Sequence, residues 1–376
     1  MKTKRFLAFA LSLAFALTLI SLPALAASQK AQKQPERVRI PKEIKEMLAQ
    51  GLATRQGRQD IPFTIFKNYF FPTQVPGNMS TVFFFRAKNA DLGYMPAQAA
   101  PAAPQPQAQA QAQQPPAQAP APAPQLQARL HAFLEFHQVQ NGQPGPPTPE
   151  IYIPVTLTED SATYNPDKED WYSAWAILPA GQYVLAMALA GADPKNPVYP
   201  DLKKVGVAYY ECTIPALKDL EAVLDTTPAF IVKRAEQVQS PLTRAEIFRG
   251  YFGYSVLQIV PNLDNVVASG EAIEVFFFIF GAKLKDPVNP QSYEIEIQYE
   301  VRDAENKAVL KWPAQTYSYP LVSQPLPLIQ TVKITDDKGE RTEQRNLGAG
   351  KYTLLIQVND KVGGLKSEKT LNFEVK

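Results

Sequence analysis

Apolar and polar residues alternate with a period of two over much of this chain. Leu130, Ala132, Leu134 and Phe136 fall on one side of an extended segment, with His131, Glu135 and His137 on the other. From Tyr293 to Val301 an acidic or polar residue stands at every second place, and Val332 with Ile334, then Tyr352, Leu354, Ile356 and Val358, continue the pattern. Period two is the mark of a strand with one wet face. Turn residues punctuate these runs at Asp336-Asp337-Lys338-Gly339 and Val362-Gly363-Gly364-Leu365. Helical spacing occurs in two short places. Residues 41–50 open on Pro41, carry an Ile44, Met47 and Leu48 stripe and run into Gly51. Residues 216–225 place Leu217, Leu220, Val223 and Leu224 at helical intervals. The expected class is mostly β, with a short N-terminal helix and a short linking helix.

Two segments break the alternation. Val82-Phe83-Phe84-Phe85 and Val275-Phe276-Phe277-Phe278-Ile279-Phe280 are apolar at odd and even positions alike. A strand sends those positions to opposite faces, so both faces need cover. Left bare, such strands aggregate. The cover is expected from the N-terminal helix, a sister domain or another protein.

The same two segments begin a series of internal likenesses. Leu134-Glu135-Phe136 resembles Ile297-Gln298-Tyr299, and the run from Val155 to Asp160 resembles that from Val332 to Asp337. Leu178-Pro179-Ala180-Gly181-Gln182-Tyr183 matches Leu347-Gly348-Ala349-Gly350-Lys351-Tyr352, and Tyr209-Tyr210-Glu211-Cys212 resembles Asn372-Phe373-Glu374-Val375. The order is the same in both halves, which points to a duplication. One half carries an insert at residues 96–125, every residue of which is Ala, Pro or Gln. Such a tract holds no charge and nothing able to build a core; it reads as a solvated insertion, or as a tether for a proline-binding groove or cell-wall polymer.

The two Leu-x-Ala-Gly-x-Tyr segments resemble the turn and tyrosine corner that opens a late strand of immunoglobulin-like and fibronectin-like sandwiches. Tyr183 and Tyr352 match the corner, while Leu185 and Leu354 stand where an immunoglobulin domain has its second cysteine. The resemblance therefore implies two tandem immunoglobulin-like β-sandwich domains without the disulfide, and no particular function. Their expected extents are residues 61–215 and 228–376, joined by a linker helix at 216–227.

The first residues add a destination. Met1-Lys2-Thr3-Lys4-Arg5 precedes an apolar run from Phe6 to Leu22 and then Pro23-Ala24-Leu25-Ala26-Ala27. This is the plan of a secretory signal peptide over residues 1–26, cut after Ala26 and of bacterial type. It lacks a twin-arginine pair or a nearby cysteine for a lipid anchor, and with Asn372–Lys376 reading as a strand no sorting tail is expected. The expected location is periplasmic or extracellular, and the protein is not expected to be an integral membrane protein. The leader holds three of the cations behind the chain's formal charge of +2, so the mature chain is nearly neutral. That gives no electrostatic ground for nucleic-acid binding. A basic arm at residues 27–60, rich in Lys and Arg, reads as a solvated lead-in or a contact for an acidic surface. The lone cysteine, Cys212, excludes an internal disulfide, so the domains must rest on hydrophobic cores.

Candidate chemistry is sparse. His131, Glu135 and His137 line one face of a predicted strand. Only Glu135 and His137 lie close enough to share an ion, so polar residues on a solvent face is the plainer reading. Cys212 reads as a small buried hydrophobe. The acidic run from Asn165 to Asp170 lacks the glycine and spacing of a hand-type calcium loop and reads as a turn. Trp171, Tyr172 and Trp175 form an aromatic cluster. Trp171 and Tyr172 are the candidate binding residues if the cluster is a sugar platform; otherwise it is core or rim packing. No catalytic residue, metal ligand or cofactor site is expected. The expected function is non-enzymatic: binding or assembly through sandwich surfaces, with an envelope or secreted protein, a surface polymer or a second copy as partner. A carbohydrate-binding module and a carboxylate-based enzyme are the alternatives.

Overall fold

The computed structural model describes residues 40–73, 75–97, 124–240, 246–336 and 339–376. The signal peptide, most of the basic arm and most of the Ala/Pro/Gln insert therefore lie outside the described residues. Twenty of the strands among the described residues carry the architecture. In the first half these are β1 (Phe63–Pro72), β2 (Asn78–Lys88), β3 (Gln125–Gln140), β4 (Gln143–Asp160), β5 (Glu169–Pro179), β6 (Gly181–Ala192) and β7 (Pro200–Ile214). In the second they are β8 (Phe230–Gln237), β9 (Phe248–Arg249), β10 (Phe252–Tyr254), β11 (Leu257–Pro261), β12 (Ala272–Phe280), β13 (Ile295–Arg302), β14 (Ala308–Lys311), β15 (Gln315–Tyr317), β16 (Leu321–Pro327), β17 (Ile329–Asp336), β18 (Gly339–Asn346), β19 (Gly350–Asp360) and β20 (Lys366–Val375). Helices α1 (Lys42–Gln50) and α2 (Leu217–Ala222) stand close to where the apolar spacing predicts them.

Each half is a β-sandwich. In the first, one sheet runs β1-β2-β5 and the other β4-β3-β6-β7. In the second, one sheet contains β8-β12-β16 and the other runs β13-β19-β20, with β14 and β15 pairing the free side of β13. With β9, β10, β11 and the β17–β18 hairpin set aside and β14 with β15 taken as one, both halves use one strand order: first, second and fifth strands in one sheet, and third, fourth, sixth and seventh in the other. This is an immunoglobulin-like arrangement. The tyrosine corners close as the motif requires, Tyr183 Oη donating to Pro179 O (3.1 Å) and Tyr352 Oη to Gly348 O (2.9 Å). One sequence likeness does not carry over. Val155 lies on β4, a strand of the sandwich proper, whereas Val332 lies on the β17–β18 hairpin, which pairs only with itself. Leu347 N–H donates to Leu328 O (2.8 Å) at the base of that hairpin, so the chain leaves and re-enters the sandwich there.

The two sandwiches are stacked face to face. Phe83 and Phe85 enter the first core, while Val82 and Phe84 point the other way, onto the second sandwich. There they meet Phe230, Phe252, Ile259 and Phe276 in a buried layer, while Val275, Phe277 and Ile279 enter the second core. A bulge at Ile65/Lys67 inverts β1, so Phe63 and Ile65 serve the first core and Tyr69 and Phe71 the shared layer. Tyr69 stacks on Phe230 at 4.5 Å and Phe71 on Phe252 at 5.6 Å between ring centroids. The doubly apolar strands are therefore covered by the sister sandwich. A strap reinforces the stack. After β8 the chain crosses to add β9 to the edge of the first sandwich, pairing β5, and returns as β10 beside β11. Arg249 on β9 is held there by the carboxylates of Glu159 and Asp170.

Helix α1 covers the outermost sheet. Ile44 and Leu48 are fully buried against Phe133, Ala186, Ala188, Ala190, Val205 and Val207. Small alanines on β6 let the helix approach, and a methyl group on Gly51 would run into the Tyr209 hydroxyl and the Gln56 carbonyl. Tyr209 Oη donates to Leu48 O (2.7 Å), tying the helix end to β7.

Candidate interaction surfaces

The surroundings of the strand change the reading of its histidines. His131, Glu135 and His137 are each only 3% exposed: Tyr152 and the loop at Pro197 close over His131, Gly145 meets His137, and Phe133 between them lies under α1. The expected solvent face is a correction: the strand is buried on both sides. His131 Nδ1 lies 2.8 Å from Tyr152 Oη and Nε2 3.2 Å from Pro197 O. Burial lowers its pKa, against smaller opposing contributions from hydrogen bonds to the Pro197 and Tyr199 backbone. His137 Nδ1 donates to Gly145 O (2.8 Å), and its Nε2 is 3.4 Å from Glu135 Oε2. The register keeps His131 four residues from Glu135, so the three do not converge. Among the described residues no group of three or more His, Cys, Asp or Glu side chains is placed to hold a metal ion.

The remaining candidates are also absorbed by packing. Tyr172 is 1% exposed and stacks on Phe85 at 5.3 Å within the first core, so it offers no ring face to a sugar. Trp171 meets Phe84 edge-on at 5.8 Å in the shared layer, and Trp175 packs there too. Asp170 is an anchor: burial opposes its charge, but hydrogen bonds from Lys168 and Arg249 outweigh it and hold the carboxyl below the usual range. Cys212 lies half-buried on β7 opposite Tyr183, and burial pushes its thiol up to about 12. A thiol so raised is almost wholly protonated near neutral pH and a poor nucleophile. A small apolar cavity ringed by Phe85, Leu130, Val155, Leu157 and Tyr172 among others offers about 10 Å³, room for roughly one water.

What stays open is at the loop ends. Eleven large apolar residues are exposed among the described ones. Met95 lies on a short strand after β2 that pairs the start of β3, and Val198 and Tyr199 sit in the loop between β6 and β7 of the first sandwich. Five more, Val223, Val288, Tyr319, Val362 and Leu365, gather at the corresponding end of the second. There the loop after β12 is tied to the loop between β19 and β20. Lys283 N–H donates to Asp360 Oδ2 (3.0 Å) and Lys361 N–H to Glu294 O (2.9 Å). Asp360 is itself fully buried and also accepts from Val362 N–H, so these loops rest on a fixed floor. Composition alone does not find this surface, because isolated exposed apolar residues are ordinary. Only the strand order shows that they share one end.

The sheet edges are closed by several devices. Five prolines interrupt β4: Pro144, Pro146, Pro147, Pro149 and Pro154. Pro325 and Pro327 stand on β16. The β7 edge is met by the chain after α1, where Val207 N–H donates to Arg58 O (2.8 Å). The hairpin β17–β18 is different. It forms a two-stranded sheet of its own, and every described side chain on β18 from Glu340 to Asn346 is exposed. No family model matches the chain and no curated relative matches it. The fold and its surfaces define it as a double β-sandwich protein. No helix among the described residues is long and apolar enough to cross a membrane.

Proposed function

We propose that this is an exported, non-enzymatic binding protein, in which the stacked sandwiches form a rigid block that presents loop surfaces to another macromolecule. One observation carries the reading: the side chains that sequence offers for chemistry are used in packing, while exposed apolar residues concentrate on the loop ends. Loops tied to one another, as those at Lys283 and Lys361 are, and carrying apolar tips suit a protein or polymer surface, since less ordering entropy is lost on contact. The leader-like N-terminus supports export, and the shared strand order of the halves supports duplication of one ancestral sandwich. The carbohydrate alternative loses its main support with Tyr172 in the core.

The test is capture from the envelope fraction of the source cells by the mature protein and by two loop variants. One carries Val198→Ser with Tyr199→Ser; the other carries Val288→Ser, Val362→Ser and Leu365→Ser. Loss of a captured partner in one variant, at unchanged melting temperature, supports the reading. Equal capture by both variants and the parent refutes it.

A further inference from the structure

The geometry points to β18 as a homodimerisation edge, along which a second copy of the chain adds antiparallel to form a continuous sheet β17-β18-β18-β17. This stands independently of the loop surfaces. A two-stranded hairpin is marginal in water on its own, and this one has strands of eight residues, Ile329–Asp336 and Gly339–Asn346, paired from Ile329↔Asn346 to Asp336↔Gly339. Strand β17 lies beside β14, which leaves β18 as the open side. No proline interrupts β18, in contrast to β4 and β16.

The sequence of β18 states its own partner. In a tight hairpin closed at Asp336↔Gly339, residues 339, 341, 343 and 345 turn their backbone groups toward β17. Residues 340, 342 and 344 then turn theirs outward. A two-fold axis normal to the sheet pairs only residues of like parity, because both copies must show the same face. Centring the axis on Thr342 satisfies the outward groups, with Thr342 opposite Thr342 and Glu340 opposite Gln344 of the other copy. It also brings Arg341 opposite Glu343 twice, in the closer, non-hydrogen-bonded positions where cross-strand charge pairs interact most. Shifting the centre by one residue to Glu343 sets Glu343 against itself and Arg341 against Arg345. Centring on Gln344 restores opposite charges but shortens the overlap. The charge order Glu340-Arg341-Thr342-Glu343-Gln344-Arg345 thus selects one self-pairing register. Glu343 already contacts Arg345 within the strand (2.8 Å), so the charged side chains of this face lie extended along it.

Sedimentation velocity on the mature chain, from about 1 to 300 µM at low and high salt, tests the inference. The parent is expected to show a monomer–dimer equilibrium that weakens with salt. Thr342→Pro removes an outward donor without touching the β17 pairing and is expected to weaken dimerisation at least tenfold. Arg341→Glu alone and Glu343→Arg alone set like charges opposite one another and are expected to do the same. The double variant Arg341→Glu with Glu343→Arg is expected to restore the parent's dimer. A parent that stays monomeric throughout, a dimer indifferent to Thr342→Pro, or a double variant no better than the singles overturns it.

Discussion

Phe84 is the residue on which the stacking of the two sandwiches can be measured. It is fully buried, on the face of β2 turned away from its own core, and its ring lies 5.2 Å from Tyr69, 5.8 Å from Trp171 and 5.8 Å from Phe252. Phe252 belongs to β10, in the other sandwich. Phe84→Ala removes the ring from a layer held on both sides by sheets, which cannot collapse to fill the gap. Such replacements cost about 3–5 kcal/mol. The direct pair adds a separable quantity: edge-to-face rings at this distance are worth about 0.5–1.5 kcal/mol beyond area burial. The assay is urea unfolding of the parent, Phe84→Ala, Phe252→Ala and the double variant, with the coupling read from the cycle. A loss of about 3 kcal/mol or more for Phe84→Ala, at unchanged m-value, is expected, together with a positive coupling to Phe252. A loss below about 1 kcal/mol, the level of an exposed side chain, or zero coupling, would refute the face-to-face stack.

Other outcomes follow from the same packing. His131 is buried with a lowered pKa, so the unfolded chain binds its proton more readily than the folded one. Stability should be full above about pH 6.5 and fall as pH drops below it, and His131→Asn should flatten that slope in urea titrations between pH 7.5 and 5. Asp170 has a depressed pKa, so its contribution is present above about pH 4 and is lost on further acidification; Asp170→Asn should remove that component and leave Arg249 paired with Glu159 alone. Cys212, with its thiol raised to about 12, should react with iodoacetamide at neutral pH far more slowly than a free thiol, approaching that rate only in urea. Gly51→Val should release α1 through collision with Tyr209 and raise exchange of the β7 amides by hydrogen–deuterium exchange mass spectrometry.

Much of the fold is legible in the chain because its determinants are local. Period-two runs mark β3, β13 and β19, and the Leu-x-Ala-Gly-x-Tyr corners mark the turn into β6 and β19. The need for cover over the phenylalanine rows is equally legible, since opposite strand faces follow from backbone geometry alone. Which surface supplies the cover is a long-range fact: Phe84 and Phe252 are far apart in sequence, and no spacing rule joins them. The histidine strand misleads for the same reason. His131, Glu135 and His137 alternate with apolar residues as on a wet face, but Tyr152 and the loop at Pro197 close over His131, Gly145 meets His137, and α1 brings Ile44 and Leu48 onto Phe133 between them. Tyr172 misleads because an aromatic beside an acidic turn looks the same whether its ring points out or in. The Val155 and Val332 likeness has no counterpart in the strand order: one lies on a sandwich strand and the other on a hairpin that pairs only with itself.

The central claim, that the two sandwiches share one buried aromatic layer and behave as a unit, is tested most directly by scanning calorimetry of the mature protein beside Phe84→Ala. A single transition is expected, with equal calorimetric and van't Hoff enthalpies, and Phe84→Ala should lower its midpoint as a whole. Two resolved transitions in the parent, only the first of them moved by Phe84→Ala, would show sandwiches that fold separately and would contradict the shared layer.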